Sequence, residues 1–173
     1  SYSGDFGFIT NSKPERDSTS FYGQGTWNHS DSLRTVFGLR HTKDEVYSAV
    51  TNFYGRSGTD ILETDGNKVT GRLVVEKDID DNTMVYGSFT RGYKPGGSNL
   101  TYGREDEVAQ IVVLPTFQEE IVDAFEVGLK TDLADGRARL NAAAFLYNYE
   151  GLQYQATDPE VFEGGVGNIP DSE

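Results

Sequence analysis

The sequence predicts an all-β fold, an antiparallel up-and-down meander of about six strands. Ten Tyr, ten Phe and 20 Gly stand against one Met and no Cys, a composition rich in strand and turn formers with no disulfides or thiolate metal sites. Apolar residues recur at every second place in several runs. The connections between these runs alternate: short, long, short, long, short.

The strands are expected at about 18–29, 33–43, 69–78, 83–93, 122–132 and 137–149. In the first, Phe21, Gly23, Gly25 and Trp27 share one side, and Tyr22, Gln24, Thr26 and Asn28 the other. The second sets Leu33, Thr35, Phe37 and Leu39 against Arg34, Val36, Gly38 and Arg40, and the third sets Val69, Gly71, Leu73 and Val75 against Thr70, Arg72, Val74 and Glu76. In the fourth, Val85, Gly87 and Phe89 oppose Tyr86, Ser88 and Thr90, before the strand breaks into Arg91-Gly92-Tyr93-Lys94-Pro95-Gly96-Gly97. The fifth opposes Phe125, Val127 and Leu129 to Glu126, Gly128 and Lys130, and the sixth opposes Leu140, Ala142, Ala144 and Leu146 to Arg139, Asn141 and Ala143. Every strand thus has one greasy face and one face too polar for a dry core.

Tight turns are expected at 29–32, 79–82 and 134–136, each with an aspartate (Asp31, Asp81, Asp135) at steps of 50 and 54 residues. Long outer loops are expected at about 44–68 and 94–121. Loops of that length are uncommon in compact soluble domains, whereas outer-membrane barrels alternate short turns with long loops as a rule. Alternation alone leaves a β-sandwich open, because it too has one wet face. Aromatic placement favours a barrel wall: Trp27 precedes a tight turn, and Tyr22, Tyr93, Tyr147 and Tyr149 lie toward the opposite strand ends, as interfacial girdles would.

Charge and motifs exclude several functions. A net charge of -13 opposes nucleic-acid binding, which needs Lys and Arg against phosphate. No run approaches the ~20 apolar residues of a membrane helix, but strands cross with ~9–11 alternating residues. Asp78, Asp80, Asp81 and Asn82 lack the spacing of a calcium loop, and His29 and His41 do not form a metal pair. No nucleophile motif is present, so no catalytic residue, metal site or cofactor is assigned. Glu126 and Lys130, about 13 Å apart along one strand, are expected to pair across strands with arginines such as Arg139.

The stretch "MVYGSFTRGYKPGGSN", followed after a long loop by "FQEEIVDAFEVGLKTDLADGRARLNAAAFLYNYEGLQYQ", resembles the C-terminal half of the barrel of TonB-dependent outer-membrane receptors. Arg91-Gly92-Tyr93-Lys94-Pro95-Gly96-Gly97, Glu120, Glu126-Val127-Gly128-Leu129-Lys130, Asp135-Gly136-Arg137 and Leu152-Gln153 stand at the matching places, and Gly38-Leu39-Arg40 matches the preceding hairpin. Glu119 replaces the family's usual proline and Phe125 its usual tyrosine. The resemblance implies an arc of a transmembrane barrel of about 22 strands, with the plug domain, signal peptide and energy-coupling box absent from this segment.

It also implies active import of a bulky scarce nutrient, such as a ferric siderophore, cobalamin or glycan, energised by the TonB complex through the missing plug. The implied partners are outer-membrane lipid and a small-molecule ligand. Candidate ligand contacts in the outer loops are Tyr47, Phe53, Tyr54, Arg56 and Tyr102, which could stack or hydrogen bond. Val85, Gly87 and Phe89 are expected to touch lipid, an arginine at Gly128 to be better tolerated than one at Val127 provided that its volume fits, and the excised segment to self-associate. The alternative is a secreted, soluble β-sandwich binding module, possibly for carbohydrate.

Overall fold

The computed structural model describes residues 11–51, 59–99, 116–158 and 163–172. Its strands are β1 (Asn11–Asn28), β2 (Leu33–Thr51), β3 (Thr59–Asp80), β4 (Thr83–Lys94), β5 (Gly97–Ser98), β6 (Thr116–Phe117), β7 (Glu120–Leu133), β8 (Ala138–Asp158) and β9 (Glu163–Ser172). Seven form one antiparallel sheet in the order β1-β2-β3-β4-β7-β8-β9, and β5 pairs with β6 in a separate two-stranded sheet. Strands adjacent in the large sheet are consecutive in the chain, apart from the inserted β5–β6 pair. The three tight turns lie on one rim. Among the described residues no second sheet packs on the apolar face of the large sheet, where a sandwich would need one.

Register explains the two faces. Trp27 pairs with Thr35, Gly25 with Phe37, Phe37 with Leu73, Leu73 with Phe89, Phe89 with Phe125, and Phe125 with Leu146. Because side chains alternate with period 2, this row and its neighbours two residues nearer the tight turns make one continuous, largely apolar face. That face is open: Trp27, Leu39 and Val127 keep more than 60% of their surface exposed, and Phe89 and Phe125 touch ring to ring at 4.9 Å. The opposite face is polar, and its crowded centre holds Val74, which is 2% exposed.

Two sequence expectations fail on strand length. The supposed loop at 44–68 is largely strand: β2 and β3 stay paired from Leu33↔Lys77 to Thr51↔Thr59, with only 52–58 between them. Residues 44–49 and 61–68 alternate as poorly as a loop would, because polar residues stand on both of their faces. The second failure is β9, which pairs with the far half of β8 from Tyr149↔Ser172 to Asp158↔Glu163. Its Glu-Gly-Gly-Val-Gly-Asn start carries almost no strand signature. Part of the expected loop at 94–121 likewise contains the β5–β6 pair.

The girdle expectation also needs correction. Trp27 is on the apolar face, but Tyr22 pairs with Arg40, Tyr147 with Ala124 and Tyr149 with Val122, all on the polar face. Position along a strand was read without its parity. The apolar band instead ends at Phe89, Phe125 and Leu146, and one pair further on Arg91 meets Asp123 at 2.6 and 2.5 Å. At the turn rim the band ends near Trp27 and Val85. About eight residues at ~3.3 Å, tilted ~40°, rise roughly 20 Å, close to the ~25 Å apolar band of outer-membrane barrels.

Candidate functional site

Beyond the Arg91–Asp123 pair, β4 leaves β3, and its continuation crosses the polar face of the sheet. The register between β3 and β4 stops at Gly71↔Arg91, whereas β4 stays with β7 to Lys94↔Glu120. Pro95 and the following glycines then enter β5. A Cβ at Gly96 would lie 2.6 Å from the Phe117 carbonyl oxygen, and one at Gly97 would lie 2.7 Å from the Phe117 ring. Only glycine permits this approach, which accounts for the Lys-Pro-Gly-Gly run in physical terms.

The β5–β6 pair and its flanks, Pro95–Asn99 and Thr116–Glu119, form a brace between two protruding hairpins. On one side, Ser98 Oγ donates to Ser48 Oγ at 2.6 Å, and Lys68 pairs with Glu119. On the other, Asn99 exchanges two hydrogen bonds with the Val166 backbone, at 2.9 and 2.8 Å, as another strand would. Gln118 N donates to Asn168 Oδ1 at 2.7 Å, and Asn168 Nδ2 returns a bond to Gln118 O at 3.0 Å. Gln153 Nε2 donates to the carbonyls of Pro95 and Gln118 at 3.0 and 2.9 Å.

Between the brace and the inner side of β2–β3 lies a cleft of about 280 Å³, lined by Asp44, Thr64, Gly66, Tyr93, Pro95 and Glu119 among others. Asp44 is 3% exposed, and Arg16 NH2 donates to its Oδ1 at 3.2 Å. Tyr93 reaches over from β4, and a Cβ at Gly66 would collide with its hydroxyl. That hydroxyl and Thr64 Oγ1 are buried without a partner of normal hydrogen-bond geometry. Burial first, then the charges of Asp44 and Glu119, push the Tyr93 phenol up to about 12. The cleft is therefore acidic and short of hydrogen-bond donors and acceptors at two points.

A larger open bowl of about 780 Å³ lies at the opposite rim, among the tight turns. Several of its charged groups are already engaged. Arg34 Nε donates to Glu76 at 2.6 Å and its NH1 to Asp78 at 2.8 Å, Arg139 holds Asp132 through two bonds, and Asp80 Oδ1 accepts the Asn82 N–H. No group of three or more metal-ligating side chains occurs among the described residues.

The expected site residues are divided. Tyr47 lies on the exposed side of β2, paired with Glu15 and Glu63, on the apolar-row parity and thus opposite the cleft. Phe53, Tyr54, Arg56 and Tyr102 lie outside the described residues. The polar joint of Asp44, Thr64, Tyr93, Asn99 and Gln153 was missed. The Tyr-Lys-Pro-Gly-Gly break was its one visible signal, while contacts such as Asn99 to Val166 join residues 67 apart.

Glu126 and Lys130 do not use Arg139. Tyr86 hydroxyl donates to Glu126 Oε1 at 2.5 Å, and Lys130 Nζ sits 5.3 Å from the centre of the same ring. The ring lies over Gly128, where a Cβ would come within 2.4 Å of it. The volume condition on an arginine at Gly128 is therefore not met, and its place on the polar face does not make that substitution mild.

The family model for the TonB-dependent receptor-like β-barrel matches residues 1–172. Among solved structures, the ferric yersiniabactin uptake receptor FyuA of Yersinia pestis matches 94% of this chain with a TM-score of 0.68 and 20% identity. The siderophore receptor PiuA of Acinetobacter baumannii matches 91% with a TM-score of 0.66 and 21% identity. The ferric-catecholate import receptor Fiu of E. coli K12 matches 92% with a TM-score of 0.64 and 16% identity. This chain spans 23%, 22% and 24% of those three chains.

Proposed function

The chain belongs to the TonB-dependent receptor family of outer-membrane β-barrels, and from that membership we propose that it forms part of the wall and outer rim of an active importer. The observation that carries this reading is the two-faced meander, whose apolar band ends at the Arg91–Asp123 row while its polar face carries an ordered brace and cleft. Such a wall separates lipid from a wet passage. The cargo class is a bulky scarce nutrient: a ferric siderophore, a cobalamin or a glycan. Energy comes from the TonB complex acting through a plug domain, and the segment alone performs neither transport nor catalysis.

Support for a chelate comes from the three solved structures, each described as a siderophore or iron-chelate receptor. The test is growth-linked uptake by the full-length receptor across a panel of ferric chelates, cobalamins and oligosaccharides. Uptake of one class that depends on both TonB and the proton gradient is the expected result. Energy-independent leakage of all small solutes at equal rates would point to a passive pore and sink the proposal.

A further inference from the structure

We propose that the brace moves as one body with β8 and β9 and parts from β2 and β3 along the cleft. Its attachments among the described residues are unequal. Toward β8–β9 there are six hydrogen bonds, all involving amide side chains of Asn99, Gln153 and Asn168 and all between 2.7 and 3.0 Å. Asn99 is 5% exposed, so its bonds to Val166 do not compete with water.

Toward β2–β3 there are one hydroxyl pair, Ser98 to Ser48, and one ion pair, Lys68 to Glu119. Lys68 and Glu119 each keep about a third of their side chain exposed, which screens the pair. The same boundary contains the cleft, the buried and unpartnered Thr64 Oγ1, and the Tyr93 hydroxyl, buried beside Asp44 without good hydrogen-bond geometry. Parting there breaks few bonds and gives those two hydroxyls water. Parting on the other side would break six hydrogen bonds at once.

The backbone supplies the needed freedom. β4 stays with β7, and the chain separates from β3 after Arg91, so the brace can swing without unzipping the large sheet. On the far side, Gly151 adopts a φ of +66° directly beneath the brace, its carbonyl accepting from Asn168 Nδ2 at 2.7 Å, which ties the kink in β8 to the same amide cluster. The result is a mouth that widens on the β2–β3 side.

Nitroxide pairs in the full-length receptor, otherwise free of cysteine and held in lipid nanodiscs, test this directly. One pair, Glu45→Cys with Gln118→Cys, spans the cleft; the other, Gln118→Cys with Gln155→Cys, spans the amide side. Gln118 contributes only backbone atoms to the bonds above, so labelling it leaves them in place. The expected result is two distance populations across the cleft and one across the amide side. A disulfide between Ser48→Cys and Ser98→Cys, closed before the other two cysteines are labelled through a thioether, should collapse the former to its shorter population, and the Ser48→Cys single variant should keep both. A single population across the cleft, or two across the amide side, overturns the proposal.

Discussion

Gly128 shows how one residue fixes a local arrangement. The Tyr86 ring occupies the space of its absent side chain, holding the phenol against Glu126 and the ring face toward Lys130. Gly128→Ala should destabilise the refolded receptor by about 1–3 kcal/mol, as overpacking does. That cost should vanish in a Tyr86→Ala background, so a double-mutant cycle in urea reads it, and additivity of the two changes would refute the contact. Ala134 is the opposite case, a non-glycine residue at φ 53°, followed by Asp135 at 56° and Gly136 at 79°. Ala134→Asn suits the left-handed conformation better and should raise stability by roughly 0.5–1 kcal/mol; an unchanged urea midpoint would argue against strain there. Tyr93 makes a pH statement. Its folded-state phenol ionises near 12 against 10.0 when free, so the contribution is fully present below pH 10 and is lost as pH rises through 12. Wild type should therefore lose stability over that interval relative to Tyr93→Phe, and matching pH profiles would contradict the buried phenol.

At the scale of elements, the strand positions within the apolar band were legible because an apolar face backed by a polar one imposes strict alternation, as in Val85-Tyr86-Gly87-Ser88-Phe89. Above the band that constraint disappears. Asp44, Val46 and Ser48 face the cleft while Glu45 and Tyr47 face outward, so both sides are polar and the hydrophobic period that marks a strand is lost. The brace was legible only as a turn, because its meaning lies in amide contacts 35 to 67 residues away in the chain. The band makes a depth-dependent prediction. Val127→Arg, at its centre, should cost about 2–4 kcal/mol of barrel stability in bilayers, whereas Asn148→Arg, in the row beside Arg91 and Asp123, should cost about 0–1. Equal penalties at the two positions would mean that the apolar row does not face lipid.

For the whole molecule, the governing fact is that a single sheet cannot cover itself. Roughly a dozen large apolar side chains on one face remain about half exposed, and at ~1 kcal/mol each the ungained burial is on the order of 10 kcal/mol, as much as an entire domain's stability. In the receptor proposed above, lipid would cover that face. The outer strands β1 and β9 have no further neighbour among the described residues, and the lower half of β8, from Ala138 to Asn148, pairs only with β7. In the receptor proposed above the rest of the wall would supply those partners, more than three quarters of the length of the matched chains lying outside this segment's share. Taken out of it, the segment has an apolar face and open edges of unpaired N–H and C=O groups, the two features that drive sheets together. Its net charge of -13 opposes association only at long range and is screened beyond about 8 Å at physiological salt. The excised segment should therefore sediment as oligomers in dilute detergent-free buffer, increasingly so as salt is raised, and shift toward monomer when detergent micelles coat the face. A monomer at every salt concentration without detergent would show that something other than lipid covers the apolar row.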